Sequence, residues 1–188
     1  MGLTAINRVL SLAILSLLSV ACQGVCPEGA EYVGEIDKEV LCRRGAIRHG
    51  IHKKWHKNGQ LIIERAYQEG RLHGVHREWY SNGSPKIEIN YNEGLYEGSY
   101  KRWYTNGQLE LEGSYKQHRR SGLYREWYRN GNPRLEQTYN GNGGFEGTQR
   151  FWRSNGHPRH ELIYQNGQLI GQKFWRPNGS PEAVYVPR

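Results

Sequence analysis

Thick-core side chains, cysteines and long apolar runs are all scarce in this sequence. Hydrophobic residues make up 36% of the 188, with three Phe and one Met. That is too little for a deep three-dimensional core and enough for a sheet whose surface is half solvated. The one apolar run, Val9 to Val20, holds twelve residues, short of the ~20 that a helix needs to cross a bilayer. Missing too are His-Glu-x-x-His, Gly-x-Ser-x-Gly and a phosphate-binding glycine loop, so zinc-protease, serine-hydrolase and nucleotide chemistry have no motif to rest on. The first 21 residues contain no acid and only Arg8 as a base. With the apolar run and the small residues before Cys22, they read as an export signal.

Cysteine is limited to Cys22, Cys26 and Cys42. Ser19-Val20-Ala21-Cys22 is similar to the lipobox of bacterial lipoproteins, although Leu18 stands four places before the cysteine instead of three. Lipidation of Cys22 is the expectation, with plain secretion and an uncleaved anchor as alternatives. If Cys22 carries a lipid, Cys26 and Cys42 remain as a pair in an oxidising compartment. A bridge would close a loop of about 17 residues and contribute ~3 kcal/mol in the chain-entropy view; two free thiols are the alternative. The expected organisation is a signal over 1–21, a lipidated, disulfide-tied cap over 22–44, and repeats over 45–188.

What the chain has in quantity is a period of about 24 residues. Asn-Gly recurs with its glycine at Gly59, Gly83, Gly107, Gly131, Gly156 and Gly179, and four places before each stands a tryptophan: Trp55, Trp79, Trp103, Trp127, Trp152 and Trp175. A second glycine marks each unit at Gly50, Gly74, Gly98, Gly122, Gly147 and Gly171. Leu or Pro follows each Asn-Gly at a fixed offset, and Glu and Tyr follow at fixed offsets in the first five units. Asn-Gly between alternating residues is a strong hairpin signal, and Glu69-Gly70, Glu93-Gly94 and Asn166-Gly167 supply a second turn per unit. The fold class is therefore all-β: an elongated antiparallel meander of six hairpin repeats in a single-layer twisted sheet, ahead of a parallel solenoid.

Turn length decides which side chains share a face. A two-residue Asn-Gly turn would set the basic residue of each unit (Lys53, Arg77, Lys101, Arg125, Arg150 and Lys173) opposite the position five after the glycine, which is Glu in five of the six repeats. A three-residue turn with a glycine bulge would set Trp79 opposite Pro85, on one side with Ile87, Ile89 and Tyr91. Burying a ring outweighs an exposed ion pair, so the three-residue turn is expected. On that register the Trp and Tyr ladders share the apolar face. Tyr80, Tyr104 and Tyr128, with neighbouring Arg102 and Glu126, are left on the wetter face as binding candidates.

These marks resemble the MORN repeat, in particular the bacterial variant found in YwqK-type antitoxin proteins. The similarity spans about Gly45 to Arg188. It departs at Lys116 to Arg120, where a Gly turn would be expected, and in the last unit, which lacks the closing Glu and Tyr. The resemblance implies a hairpin sheet that binds or scaffolds and has no catalytic residues. No enzyme activity and no cofactor are expected, because every Glu candidate comes in five equivalent copies while an active site needs one converging constellation. His49, His52, His73 and His76 fall one period apart but read as surface side chains, so no metal site is expected.

Net charge is +8, which favours polyanions, yet the bases are matched nearly one for one by Glu and export argues against nucleic acid. The expected function is that of an envelope-anchored surface, facing the periplasm or exterior, that binds another protein. A toxin-neutralising or immunity role and the binding of acidic glycans or anionic lipid headgroups are the alternatives.

Overall fold

The computed structural model describes residues 26–35 and 37–185. Residues 1–21, expected to be an export signal, and Cys22 lie outside them. Every regular element among the described residues is a strand, fifteen in all, and they form one antiparallel sheet. β1 (Glu31–Glu35) and β2 (Glu39–Arg44) make an N-terminal hairpin. β3 (Ile47–Trp55) and β4 (Leu61–Gln68) form the first repeat, and the two-residue β5 (Arg71–Leu72) pairs with β4 beside the main path.

The sheet continues through β6 (Gly74–Trp79), β7 (Pro85–Asn92), β8 (Leu95–Trp103), β9 (Leu109–Lys116), β10 (Arg119–Trp127) and β11 (Pro133–Tyr139). It ends with β12 (Gly147–Trp152), β13 (Pro158–Gln165), β14 (Gln168–Trp175) and β15 (Pro181–Tyr185). Strand order follows chain order, as in a meander. The sheet therefore reaches back to Glu31, beyond the expected repeat boundary at residue 45. Cys26 is bonded to Cys42, tying the chain before β1 to β2.

The Asn-Gly turns have three residues, as expected. In the first, the His56 N–H donates to the Gln60 carbonyl at 2.8 Å and the Gly59 N–H to the His56 carbonyl at 2.9 Å; the others repeat this pattern. Only the glycine takes the left-handed conformation, with φ between 83° and 88° in all six units. The Asn plays another part: its Oδ1 accepts the N–H two residues on in every unit, at 3.0–3.3 Å. Both central residues have positive φ in the alternate turns instead, at Glu69-Gly70, Glu93-Gly94 and Asn166-Gly167. At Gln117-His118 two non-glycine residues adopt it, with φ of 49° and 65°.

The second glycine of each unit marks an irregularity that the period alone does not disclose. Between β7 and β8 the partner sum changes by two, from Tyr91↔Tyr96 to Ile89↔Tyr100, and Gly98 lies in the gap with φ of 87°. In the last repeat the shift is one residue, from Tyr164↔Leu169 to Ile163↔Gly171. That is the unit whose two glycines stand one place closer in sequence.

A further bulge follows each Asn-Gly turn. Glu78 pairs with Ile87 and Trp79 with Pro85, so Lys86 is the extra residue. The two registers posed as alternatives therefore coexist: the three-residue turn sets Trp79 against Pro85, and the bulge restores Arg77 against Glu88. The extra residue lies in the partner strand, so alternation along β6 is uninterrupted and Trp79 falls on the side of Arg77. The expectation that Trp79 joins Ile87, Ile89 and Tyr91 is thus corrected. Among the described residues the ring pairs, 4.1–6.4 Å apart, involve Tyr, His and Phe and no tryptophan.

Candidate functional site

The two faces of the sheet carry different chemistry. On the tryptophan side runs an unbroken cross-strand row: Lys53, Glu64, Arg77, Glu88, Lys101, Glu112, Arg125, Glu136, Arg150, Glu161 and Lys173. Sign alternates at each step. Val40 and Val184 flank the row at its two ends. Ion pairs along it include Arg77–Glu88 at 2.8 Å, Arg125–Glu136 at 3.0 Å and Arg150–Glu136 at 2.8 Å. Burial raises the Glu136 pKa, but the two guanidiniums outweigh it and hold the carboxyl below its ordinary range.

The opposite face carries the core. Three residues before each tryptophan stand His52, His76, Tyr100, Tyr124, Gln149 and Gln172; His52, His76, Tyr124 and Gln149 are buried, as are Ile89, Leu111 and Tyr139. The tyrosines that end each unit pack among them, Tyr124 on Tyr139 at 6.1 Å and Tyr96 between Tyr91 and Tyr115. His52 and His76 therefore belong to the interior and not to the surface expected for them. The His52 Nδ1 accepts from Arg65 at 2.9 Å, so its Nε2–H donates to Glu39 at 2.7 Å. Burial lowers the pKa of both histidines. No group of three metal-ligating side chains is assembled among the described residues.

The five binding candidates lie together on this second face, the face of the tyrosine ladder and not the reverse of it. Alternation along β10 carries Tyr124, Glu126 and Tyr128 on one side, and contacts tie them: the Tyr124 hydroxyl donates to Glu126 at 3.3 Å, Arg134 pairs with Glu126 at 3.3 Å, and Arg134 sits 6.0 Å from the Tyr128 ring. Arg134 is the extra residue of its bulge. Corresponding pairs are Lys86 with Glu78 at 2.9 Å and a two-pronged contact of Arg102 with Glu110 at 2.8 and 3.0 Å. The sign of the pair inverts from repeat to repeat.

Tyr80, Tyr104 and Tyr128 are half-buried and hold a structural post that the sequence pattern does not announce. Each hydroxyl donates to the backbone carbonyl of the next repeat's tryptophan: Trp103 at 2.8 Å, Trp127 at 2.8 Å and Trp152 at 2.9 Å. In the fifth repeat Arg153 takes the same place and reaches the Trp175 carbonyl at 2.9 Å. The turn asparagines add cross-repeat bonds from Asn58 to Ser81, Asn106 to Arg129 and Asn130 to Ser154. The acceptors are main-chain atoms 22 to 24 residues away, so residue-type spacing carries no trace of them beyond the period itself.

The arrangement offers two long faces, each with a repeated set of charges or rings, and no converging set of nucleophile, base and oxyanion donors among the described residues. No curated protein matches the chain. Repeats of the matched kind are generally binding or scaffolding modules and typically non-catalytic. Residues 48–69, 72–93, 96–117 and 120–140 match the family model of the MORN repeat variant, one hairpin unit after another.

Proposed function

We propose that the chain is a non-enzymatic binding protein, held at the cell envelope by a lipid on Cys22, whose tyrosine-bearing face takes another protein. The observation that carries the reading is the gathering of Tyr80, Arg102, Tyr104, Glu126 and Tyr128 on one face of a single-layer sheet, spaced by the repeat. Half-buried rings bordered by ion pairs of alternating sign suit a polypeptide that offers both apolar and charged groups. A polyanion is the weaker fit, because the basic row on the other face is matched by glutamates.

Crosslinking in the native envelope, followed by identification of partners, tests the binding role. Reproducible protein adducts that disappear when Arg102 and Glu126 are exchanged for residues of opposite charge are the expected result; adducts unchanged by the exchange overturn the site. Labelling with radioactive palmitate tests the anchor. Wild type should take label and Cys22→Ser should lose it, while an unlabelled wild type rules the lipid out.

A further inference from the structure

The first repeat departs from its neighbours at one position with a structural consequence. Where the next three units have Tyr80, Tyr104 and Tyr128, it has His56. The His56 Nδ1 is turned to its own turn, accepting from the Asn58 N–H at 3.4 Å. Among the described residues no side chain donates to the Trp79 carbonyl, the atom whose counterparts at Trp103, Trp127, Trp152 and Trp175 each receive one. At this place the face is hollowed by a depression of ≈ 360 Å³, walled by Ile62, Ile63, Trp79 and Tyr80. Its size falls at the lower end of ligand pockets, ~300–1,000 Å³.

A second departure coincides with the first. The bulge residue is charged in the following units, as Lys86, Glu110 and Arg134, and pairs with the residue before the tryptophan. In the first unit it is Ile62, and Lys54 turns to Glu39 instead. The depression is therefore apolar on the side where its neighbours would place an ion, and the Glu78–Lys86 pair closes the other side.

We propose that this depression receives a tyrosine side chain from a partner polypeptide, whose ring covers Ile62 and Ile63 and whose hydroxyl donates to the Trp79 carbonyl. The incoming phenol would reproduce from outside the contact that Tyr80, Tyr104 and Tyr128 make from within. The depression is open to solvent and is walled by Tyr80, the first of those three rings, and Tyr104 and Tyr128 follow on the same face at the repeat spacing. This inference rests on the reading that the face binds protein.

The test uses N-acetyl-tyrosinamide as probe and the backbone N–H signal of Tyr80, the amide that shares a peptide group with the Trp79 carbonyl. Expected is a saturable shift of that signal, with N-acetyl-phenylalaninamide at least tenfold weaker because it lacks the donor. His56→Tyr should fill the depression, raise the melting temperature and weaken the probe at least tenfold. Ile62→Lys, which leaves the Trp79 carbonyl in place, should weaken it as much. Equal binding of the two amides, or unchanged binding by both variants, overturns the proposal. If envelope adducts persist in His56→Tyr while wild type ignores the tyrosine amide, the pocket is wrong and the binding role survives; absence of any protein adduct from wild type removes the binding role itself.

Discussion

Replacing Tyr104 by Phe removes one oxygen and leaves the ring, so it isolates the bond to the Trp127 carbonyl at 2.8 Å. A neutral hydrogen bond of this kind contributes about 0.5–1.5 kcal/mol net. Tyr104 is half-buried, so water can partly replace the lost donor and about 1 kcal/mol is the expected cost. In a repeat array stability is close to a sum of unit and neighbour terms. The three staples lie two strands apart, roughly 10 Å at ~4.8 Å per strand, which is far enough for their effects to add. Tyr80→Phe, Tyr104→Phe and Tyr128→Phe together should therefore cost about 3 kcal/mol. At roughly 2–4 °C per kcal/mol for a chain of this size, that lowers the melting temperature by roughly 6–12 °C. Urea unfolding followed by tryptophan fluorescence and far-ultraviolet circular dichroism should show the midpoint falling in near-equal steps from single to triple variant, with the slope unchanged. A triple variant within about 0.5 kcal/mol of wild type would refute the view that these hydroxyls couple the repeats.

Other consequences are as direct. Gln117→Gly should raise the urea midpoint by about 0.5–1 kcal/mol equivalent, since φ is 49° there and glycine adopts it without strain. Glu136 has its folded pKa held down by Arg125 and Arg150 against the opposing pull of burial, so its stabilisation is present above the unfolded value near 4.5 and disappears as pH falls through the lower folded value. Glu136→Gln should lose midpoint less steeply than wild type between about pH 5 and pH 3. Burial depresses the His52 pKa from 6.5, so its contribution is full above that value and is lost as acid charges the ring. His52→Gln, which copies the residue at Gln149, should flatten the stability profile below about pH 6.5 in a denaturant series. Converting Cys26 and Cys42 to serine should cost about 3 kcal/mol, read as an earlier transition that reductant does not move further.

The hairpins were legible because their turn signals are local: Asn58-Gly59 and Glu69-Gly70 each fix a connection from adjacent residues. The face assignment was not, because it depends on a one-residue bulge at Lys86 that has no composition of its own; its counterparts are Ile62, Glu110 and Arg134. One inserted residue per hairpin moves the tryptophans to the side of the ions and sets Tyr80, Tyr104 and Tyr128 beside the Tyr124 core. The burial of His52 escaped notice for a related reason. Histidine is polar by type, and the Glu39 and Arg65 that satisfy it come from two different strands.

The alternating row from Lys53 to Lys173 also governs how such an array can change length. Each hairpin contributes one base and one acid in fixed order, so copying or deleting a whole unit leaves opposite charges facing at the new junction. Loss of a single strand would bring like charges directly opposite one another, a destabilising arrangement, and would reverse the chain direction needed for antiparallel pairing. The array can therefore grow or shrink only in steps of one hairpin, and its length is quantised by electrostatics and topology together.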